Sequence, residues 1–361
     1  MNSCYLLVDK KGSNPIVRHL FEDLKTQSRP CFIVWHSPKK AIAFVFKIEE
    51  ESYKSIASLE VRPFRTSQEL FEALAKYLSG YRTFVDFDYI SHKIYLQLQE
   101  KGISLNSAKS LRQTIFCPTK EQIETHREAN SRIEEIILEF QSWFSLHKEL
   151  SEKQITEWLK CKIDEKGMDS IGEPIVAFRE NSSFPHYHFS KKGSLIDKDG
   201  PLLIDLWAKL KQKGSIFADR TFMFMVDRNP DSKELEVFET VLRAQTKGFE
   251  SIHFGVKGKD VDLASRKILE DGGFKENVYH RLGHSIDVEL HGFSMHLDGM
   301  EDPEELTFVS NLVFSLEPAI YIPGEFGVRL ESNIVINEKG DPNWTCQQQK
   351  KWIILKRAKS Q

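Results

Sequence analysis

The sequence lacks any apolar run long enough to cross a membrane. Hydrophobic residues make up 40% of the 361 residues and charged residues 29%, and the two kinds are interspersed along the chain. A helix that spans a bilayer needs about 20 consecutive apolar residues. Residues 1–9 also lack the basic start and long apolar core of a signal peptide. We therefore expect a globular, cytoplasmic protein without a membrane partner.

An excess of charge of either sign is also missing. The chain has 50 basic and 53 acidic residues, which gives a net charge of -3. A basic surplus is the usual sign of a protein that binds nucleic acid or an anionic membrane. We therefore expect no nucleic-acid partner.

Cysteine is scarce and unpaired in spacing. The five cysteines are scattered, odd in number and without a close pair: Cys4, Cys31, Cys117, Cys161 and Cys346. A disulfide framework or a thiolate zinc site would need a paired pattern. The pattern indicates reduced thiols, as in a cytoplasm. The sequence also has no Gly-rich phosphate loop, internal repeat or low-complexity segment.

The first 112 residues are predicted to form a small α/β unit. Short apolar runs predict strands at residues 5–8, 31–35, 41–46 and 83–86. Thr66 and Glu69 have the spacing of a capping box, which predicts a helix over 70–78, and a second helix is predicted over 90–98. No motif in this part of the chain carries chemistry.

From residue 113, long helices alternate with pairs of strands. A helix is predicted after Pro118, and the motif Ser151-x-x-Gln154 predicts the start of a second. Later helices are predicted over 232–247 and 261–270. This mixture favours an α+β fold over a doubly wound parallel sheet. The tail beyond residue 350 is predicted to be a frayed basic end.

Charged residues stand inside two apolar, strand-like segments near the C-terminal end. If residues 328–336 form one strand, alternation puts Arg329 and Glu331 on the same face. The same rule places Glu317 beside Tyr321. Carboxylates within apolar strands are costly unless a cation or a strong donor compensates them. The simpler alternative pairs Glu331 with Arg329 and leaves Glu317 on a solvated sheet face.

Two further apolar segments each contain a lone aspartate. Asp205 lies within residues 201–208, and Asp219 lies within residues 216–222. Together with the two glutamates and His284, they have the composition of a metal site. Such oxygen ligands with one imidazole suit two divalent ions of the manganese, cobalt or zinc type, bridged by carboxylates.

In this order, the five residues resemble the ligand set of the pita-bread metallopeptidases. That family includes aminopeptidase P, prolidase and methionine aminopeptidase, with creatinase as a metal-free relative. HRLGHSIDVELH at 280–291 resembles the family's His-x-x-Gly-His…His segment, and EPAIYIPGEFGVRLE at 317–331 resembles its Glu-Pro-Gly-Ile-Tyr…Gly-Val-Arg-x-Glu segment. The resemblance implies a pita-bread catalytic domain over 113–361, preceded by a creatinase-like α/β domain over 1–112.

The resemblance also implies roles for individual residues. The metal ligands would be Asp205, Asp219, His284, Glu317 and Glu331, and the ions manganese, with cobalt or zinc as alternatives. Glu317 would be the general base, His291 would stabilise the oxyanion, and His186 would face the substrate. Arg329 and Tyr321 would bind the substrate, although Arg329 could equally serve to fix Glu331. A separate metal site at His186 and His188 is the weaker alternative, since no further ligand lies nearby in the sequence.

Three positions depart from the family pattern. Asp205 and Asp219 are 14 positions apart, so a polar turn over 209–214 lengthens their hairpin. Arg220 would either point away from the site by strand alternation or compete with the metal for Asp219. Ala319 stands where a glycine is usual.

Three functions are compatible with these residues. The full ligand set and the N-terminal domain favour a peptidase that cuts between an N-terminal residue and proline, that is, an Xaa-Pro aminopeptidase. The substrate would be a peptide or dipeptide with proline in the second position, and the enzyme could be a homodimer. The alternatives are an Xaa-Pro dipeptidase (prolidase) and a catalytically inactive pita-bread binding protein. A metal-free hydrolase like creatinase is disfavoured because the ligands are retained.

Overall fold

The computed structural model of the protein describes residues 2–25, 28–189 and 193–358. The chain divides into two compact units, Met1–Ile115 and Phe116–Gln361. The domain boundary expected after residue 112 remains a prediction. None of the helices in the described ranges is both long and apolar enough to cross a membrane.

The first unit is built on a six-stranded sheet with the strand order β4-β3-β2-β1-β5-β6. Its strands are β1 (Asn2–Asp9), β2 (Cys31–Ser37), β3 (Lys40–Phe46), β4 (Leu59–Phe64), β5 (Tyr81–Val85) and β6 (Leu105–Ser107). Its helices are α1 (Pro15–Leu20), α2 (Glu50–Lys54), α3 (Ser67–Leu78), α4 (His92–Glu100) and α5 (Lys109–Ile115). The four predicted strands and both predicted helices are present, and Thr66 and Glu69 form both hydrogen bonds of the predicted capping box.

Four long helices belong to the second unit: α6 (Lys120–Ser145), α7 (Glu152–Glu165), α8 (Ser232–Glu250) and α9 (Gly258–Asp271). Ser151 and Gln154 form the capping box that starts α7. After α9, Gly273 takes a left-handed φ of 88°, a conformation that glycine adopts without strain. These helices are where the caps and apolar spacing predict them.

The strands of the second unit form three sheets. One contains β7 (Met168–Asp169), β8 (Ile175–Phe178), β9 (Gly200–Leu210), β10 (Ala218–Val226) and β17 (Ile353–Leu355). Another contains β11 (Ser285–Ile286), β12 (Val313–Leu316), β15 (Ser332–Ile336) and β16 (Pro342–Trp344), and β13 (Ala319–Ile322) pairs with β14 (Phe326–Arg329). Side chains of α6 and α7 pack on one face of β9 and β10, and side chains of α8 pack on the other. This is an α+β arrangement.

The two segments that carry the glutamates are not continuous strands, which corrects the prediction. One breaks at Glu317 and Pro318, between β12 and β13, and the other breaks at Leu330 and Glu331, between β14 and β15. At the first break the chain passes from the β12–β15 pair to the β13–β14 pair, and at the second break it returns to the β12–β15 pair. Pro318 has no N–H to donate to a strand partner, so a break there is expected. Both glutamates therefore lie where strands end, and not on a regular sheet face.

The C-terminal segment is not frayed over its described part, so that prediction was wrong. Residues Ile353–Leu355 form β17, which runs parallel to β10. Trp352 is buried, with its ring centroid 5.3 Å from that of Phe238 on α8. Trp352 and Leu355 belong to the core, whereas Ile354 and the neighbouring lysines are exposed.

Candidate metal centre

The hairpin of β9 and β10 brings two aspartates to one face. Thr221 pairs with Asp205 across the hairpin, and Asp219 pairs with Trp207. Because side chains alternate along a strand, Asp205, Asp219 and Thr221 all project to the same side. The long connection predicted from the sequence therefore leaves the two carboxylates on the same face of the hairpin.

The strand breaks and the start of β11 add the remaining polar groups. His284 Nε2 lies 3.4 Å from Asp219 Oδ2 and 3.4 Å from Glu317 Oε1. Potential ligand atoms of Asp219, His284 and Glu331 all lie within 4.8 Å of one another, so these three residues could hold a metal ion together. All five residues named from the sequence thus converge on one buried region.

Burial and mutual repulsion both disfavour the charged forms of these carboxylates. Burial, together with the nearby Asp205 and Glu317 carboxylates, raises the pKa of Asp219 well above its ordinary value. Burial and the Asp219 carboxylate likewise raise the pKa of Glu331 well above its ordinary value. A cation between them would offset both costs. Several carboxylate oxygens and one imidazole therefore fit a divalent metal centre by their chemistry.

Arg329 pairs with Asp205 and not with Glu331. Its Nη2 lies 2.5 Å from Asp205 Oδ2, and its Nε donates to Thr221 Oγ1 at 2.9 Å. Its Nη1 donates to Tyr321 Oη at 3.1 Å. The pairing with Glu331 expected from strand alternation does not form because β14 ends at Arg329 and the two residues no longer share a strand.

Thr221 links the hairpin to Glu331, a role that was not predicted from the sequence. Its Oγ1 lies 2.7 Å from Glu331 Oε2 and 3.1 Å from Asp205 Oδ1. A hydroxyl has one proton, so it donates to one carboxylate at a time, and the shorter distance favours Glu331. The signal was present in Asp219-Arg220-Thr221, since alternation puts Thr221 on the side of the ligands.

Three further histidines surround the cluster. The ring of His291 stands edge-on to that of His284, with centroids 4.4 Å apart and planes at 79°. His280, which has no role predicted from the sequence, lies with Nε2 2.9 Å from Tyr321 Oη. Burial raises the pKa of Asp205. The positive charge of Arg329 opposes that rise, and His186 opposes it more weakly. His186 is exposed.

Arg220 lies on the opposite face of β10 from the ligands, although it is only 1% exposed. Its Nη1 lies 3.2 Å from Glu134 Oε1 on α6, and its Nη2 donates to the carbonyl oxygen of Gln347 at 2.6 Å. Its Nε donates to the carbonyl oxygen of Glu331 at 3.3 Å. The guanidinium therefore joins α6, β10 and the C-terminal segment and does not compete with a metal for Asp219.

Replacement of Arg220 by lysine should lower stability and leave metal content unchanged. A single ammonium group cannot reach all of the partners of the guanidinium, and each buried hydrogen bond lost costs about 1–3 kcal/mol. Denaturant unfolding and metal analysis of the purified variant would measure both quantities. The control is Arg127→Lys on α6, whose half-exposed side chain lies beside Glu124. It should change the free energy of unfolding by less than about 0.5 kcal/mol. Loss of metal at unchanged stability would show that Arg220 acts on Asp219 after all.

Solved structures share this fold over nearly the whole chain. An X-Pro aminopeptidase from Thermotoga maritima matches with a TM-score of 0.68 and 21% identity, covering 98% of this chain and 96% of that one. Dipeptidase PepE from Mycobacterium ulcerans matches with a TM-score of 0.75 and 21% identity, covering 98% and 94%. The fold is therefore the pita-bread fold of two-domain peptidases, which confirms the predicted fold class.

Sequence relatives narrow the class to one family. Residues 124–338, more than half of the chain, match the model of metallopeptidase family M24. An Xaa-Pro dipeptidase from Pyrococcus furiosus is 26% identical over 310 residues, which is 83% of either chain. An uncharacterized peptidase from Staphylococcus saprophyticus is 29% identical over 201 residues. The match spans 55% of this chain and 55% of the length of that relative. This chain belongs to metallopeptidase family M24.

Proposed function

We propose that this protein is a metal-dependent Xaa-Pro aminopeptidase, which hydrolyses the bond between an N-terminal residue and proline. The observation that carries the proposal is the convergence of five donor side chains in one buried cluster, with the ring of His291 against His284. The likeness to an X-Pro aminopeptidase from Thermotoga maritima and to an Xaa-Pro dipeptidase from Pyrococcus furiosus supports the choice of substrate.

The cluster would hold two divalent ions, with manganese proposed first and cobalt or zinc as alternatives. Asp219 and Glu331 would serve both ions, Asp205 would complete one, and His284 with Glu317 would complete the other. Bound divalent ions supply Lewis acidity, which lowers the pKa of water toward neutrality and polarises a carbonyl group.

Glu317 is the proposed general base. Its Oε1 accepts a hydrogen bond from Ser315 Oγ at 3.1 Å. Burial raises the pKa of Glu317, but the fields of His284, His280 and Arg329 together outweigh burial, and the pKa lies below its ordinary value. Glu317 is therefore ionised at neutral pH, so it can accept a proton from water and pass it to the leaving nitrogen.

His291 is the proposed donor to the carbonyl oxygen of the scissile bond. Proline has no amide hydrogen, so the enzyme cannot hold the leaving side through an N–H group. A donor on the carbonyl side then carries more of the recognition. His186, exposed near Asp205, is proposed to orient the far side of the substrate.

Tyr321 is less accessible to a substrate than its predicted role in substrate binding requires. Its side chain is fully buried, and its hydroxyl lies within hydrogen-bond distance of Arg329 Nη1 and His280 Nε2. We propose that Tyr321 acts by orienting these two groups.

The direct test is peptide hydrolysis by protein stripped with a chelator and then reloaded with manganese, cobalt or zinc. An Xaa-Pro-Xaa tripeptide should be cut at the Xaa-Pro bond, and the matched Xaa-Ala-Xaa peptide should be cut far more slowly. Stripped protein should be inactive and should recover with metal. Equal rates on both peptides, or no turnover at full metal occupancy, would overturn the proposal, and the second result would favour an inactive binding protein.

An Xaa-Pro dipeptidase is the second candidate, and the name of the Pyrococcus furiosus relative favours it. The same assay with an Xaa-Pro dipeptide separates the two, since a dipeptidase should prefer it to the tripeptide. The cytoplasmic location, the creatinase-like nature of the first unit and the homodimer remain predictions from the sequence.

Arg329→Lys should impair the hydrolysis of dipeptides and tripeptides to the same extent. The guanidinium is buried and already engaged with Asp205, Thr221 and Tyr321, so it orients these groups and has no free edge for a substrate carboxylate. Loss of such an orienting partner typically costs about 10- to 100-fold in activity. Kinetics on an Xaa-Pro dipeptide and an Xaa-Pro-Xaa tripeptide would measure it.

The control for Arg329→Lys is Arg228→Lys. In the wild-type protein the Arg228 guanidinium donates two hydrogen bonds of 2.6 Å to Glu234 at the start of α8. Arg228→Lys should lower stability without changing either rate. A selective loss with the dipeptide in Arg329→Lys would instead assign Arg329 to the substrate carboxylate.

A further inference from the structure

His291 lies in a loop that has no regular secondary structure to hold it. Residues 287–293 form neither a helix nor a strand. A catalytic ring on such a loop would lose its orientation unless the backbone on either side were tied down.

One carboxylate ties the backbone on both sides of His291. Asp287 Oδ1 accepts from the backbone N–H of Glu289 at 2.8 Å, two residues before the histidine. Asp287 Oδ2 accepts from the backbone N–H of Phe293 at 2.8 Å, two residues after it. The carboxylate is buried, so both hydrogen bonds are shielded from water.

The loop is shaped to let this carboxylate approach. A side chain at Gly292 would put its Cβ 2.9 Å from Asp287 Oδ2 and 2.9 Å from the carbonyl oxygen of Ser285. Gly292 itself donates its N–H to that Ser285 oxygen at 2.7 Å. Lys209 Nζ donates to the carbonyl oxygen of Val288 at 2.6 Å, which ties the loop to β9. Only glycine at 292 is compatible with the close packing around Asp287.

Asp287 is charged at neutral pH in spite of its burial. Burial raises its pKa, the two backbone N–H groups lower it, and the charges of Glu289 and Lys209 act in opposite directions, so that the pKa is about 6. Both oxygens of the carboxylate are then acceptors, as the two hydrogen bonds require.

We infer that Asp287 is a positioning residue, whose two hydrogen bonds to the backbone hold His291 beside His284 in the orientation that the reaction uses. The inference rests on the proposed function for its kinetic consequence, but the structural claim concerns the loop alone. The hydrogen bonds described for its carboxylate go to backbone N–H groups on either side of His291 and to none of the proposed ligands, so we expect it to act through His291.

Asp287→Asn is the test, since the amide keeps the size of the side chain but has one acceptor oxygen and thus loses one of the two hydrogen bonds. In metal-loaded protein, kcat on an Xaa-Pro-Xaa tripeptide should fall by about 10- to 100-fold, the usual cost of losing an orienting partner. KM and metal content should change little. Hydrogen exchange of a peptide spanning 287–293 should become faster.

The matched control is Asp298→Asn. The buried Asp298 also accepts from backbone N–H groups of its own loop, those of Met300, Glu301 and Asp302. This variant should lose thermal stability and keep a near-normal kcat. An equal loss of kcat in both variants would mean that Asp287 is only structural, which would overturn the inference.

A double-mutant cycle with His291→Ala separates positioning from other effects. If Asp287 acts through His291, then Asp287→Asn should lower kcat no further once His291 has been removed. Independent losses that multiply would overturn the inference. So would an Asp287→Asn variant with normal kcat and normal exchange.

The NMR signals of the His291 ring make the result independent of turnover. Their shift and broadening in Asp287→Asn, and not in Asp298→Asn, would support the inference even if wild-type protein cut no Xaa-Pro peptide, in which case the proposed function alone would fail. Unchanged ring signals together with unchanged exchange would overturn the inference, whatever the activity of the wild-type protein.

Discussion

Asp219→Ala and Glu331→Ala should each abolish peptide hydrolysis. Each carboxylate is proposed to serve both metal ions, so its removal disturbs the pair together. The two side chains are 5% and 3% exposed and lie at the centre of the cluster. Metal analysis should find less bound metal than in the wild-type protein, and steady-state assays should find no turnover.

Both variants should fold, because the apolar residues of β9, β10 and β15 are buried independently of the metal. Circular dichroism and thermal unfolding would verify this. The control is Asp231→Ala, which removes the side-chain cap of α8. It should cost about 1 kcal/mol of stability and leave turnover intact. Wild-type turnover by Asp219→Ala or Glu331→Ala without added metal would rule out a dinuclear site.

His291→Ala should lower kcat by about 10²- to 10³-fold, the usual loss for one oxyanion donor. Metal content should stay at the wild-type level, since His291 is not among the proposed ligands. The ring is exposed and stands edge-on to His284, so its removal leaves no cavity in the core. Measurements of kcat, melting temperature and bound metal on this variant would test the role.

A packed structural histidine would behave differently, with lost thermal stability and near-normal turnover in the protein that remains folded. His253→Ala provides the comparison, since that exposed ring contacts only the backbone carbonyl of Phe254 among its described hydrogen bonds. It should leave kcat and stability close to normal. An unchanged kcat for His291→Ala at full metal occupancy would remove His291 from the mechanism and weaken the peptidase proposal.

The sequence by itself determined the features that depend on near neighbours along the chain. The capping boxes at Thr66 and Ser151 were predicted because the two partners of each box lie three residues apart. Strand alternation was sufficient to predict that Asp219 and Arg220 project to opposite faces of β10. The order and spacing of the polar residues also led to the family resemblance, which the match to residues 124–338 confirms.

The tertiary structure alone decided which strands pair and where they stop. Residues 328–336 have an unbroken strand pattern, but β14 pairs with β13 and β15 pairs with β12, so the chain breaks at Glu331. The ion pair of Arg329 follows from this break, since its partner is Asp205 and not the neighbouring glutamate. The pairing of β17 with β10 was likewise hidden, because its partner lies more than a hundred residues away.

The hydrogen bonds between Thr221 and Glu331 and between His280 and Tyr321 were hidden for the same reason. Alternation and capping act within a few residues, whereas these contacts join segments that meet only after the sheets have packed. Local rules therefore identified the side chains capable of the chemistry. Long-range packing determined which of them touch, because the strand partners set the direction in which each side chain points.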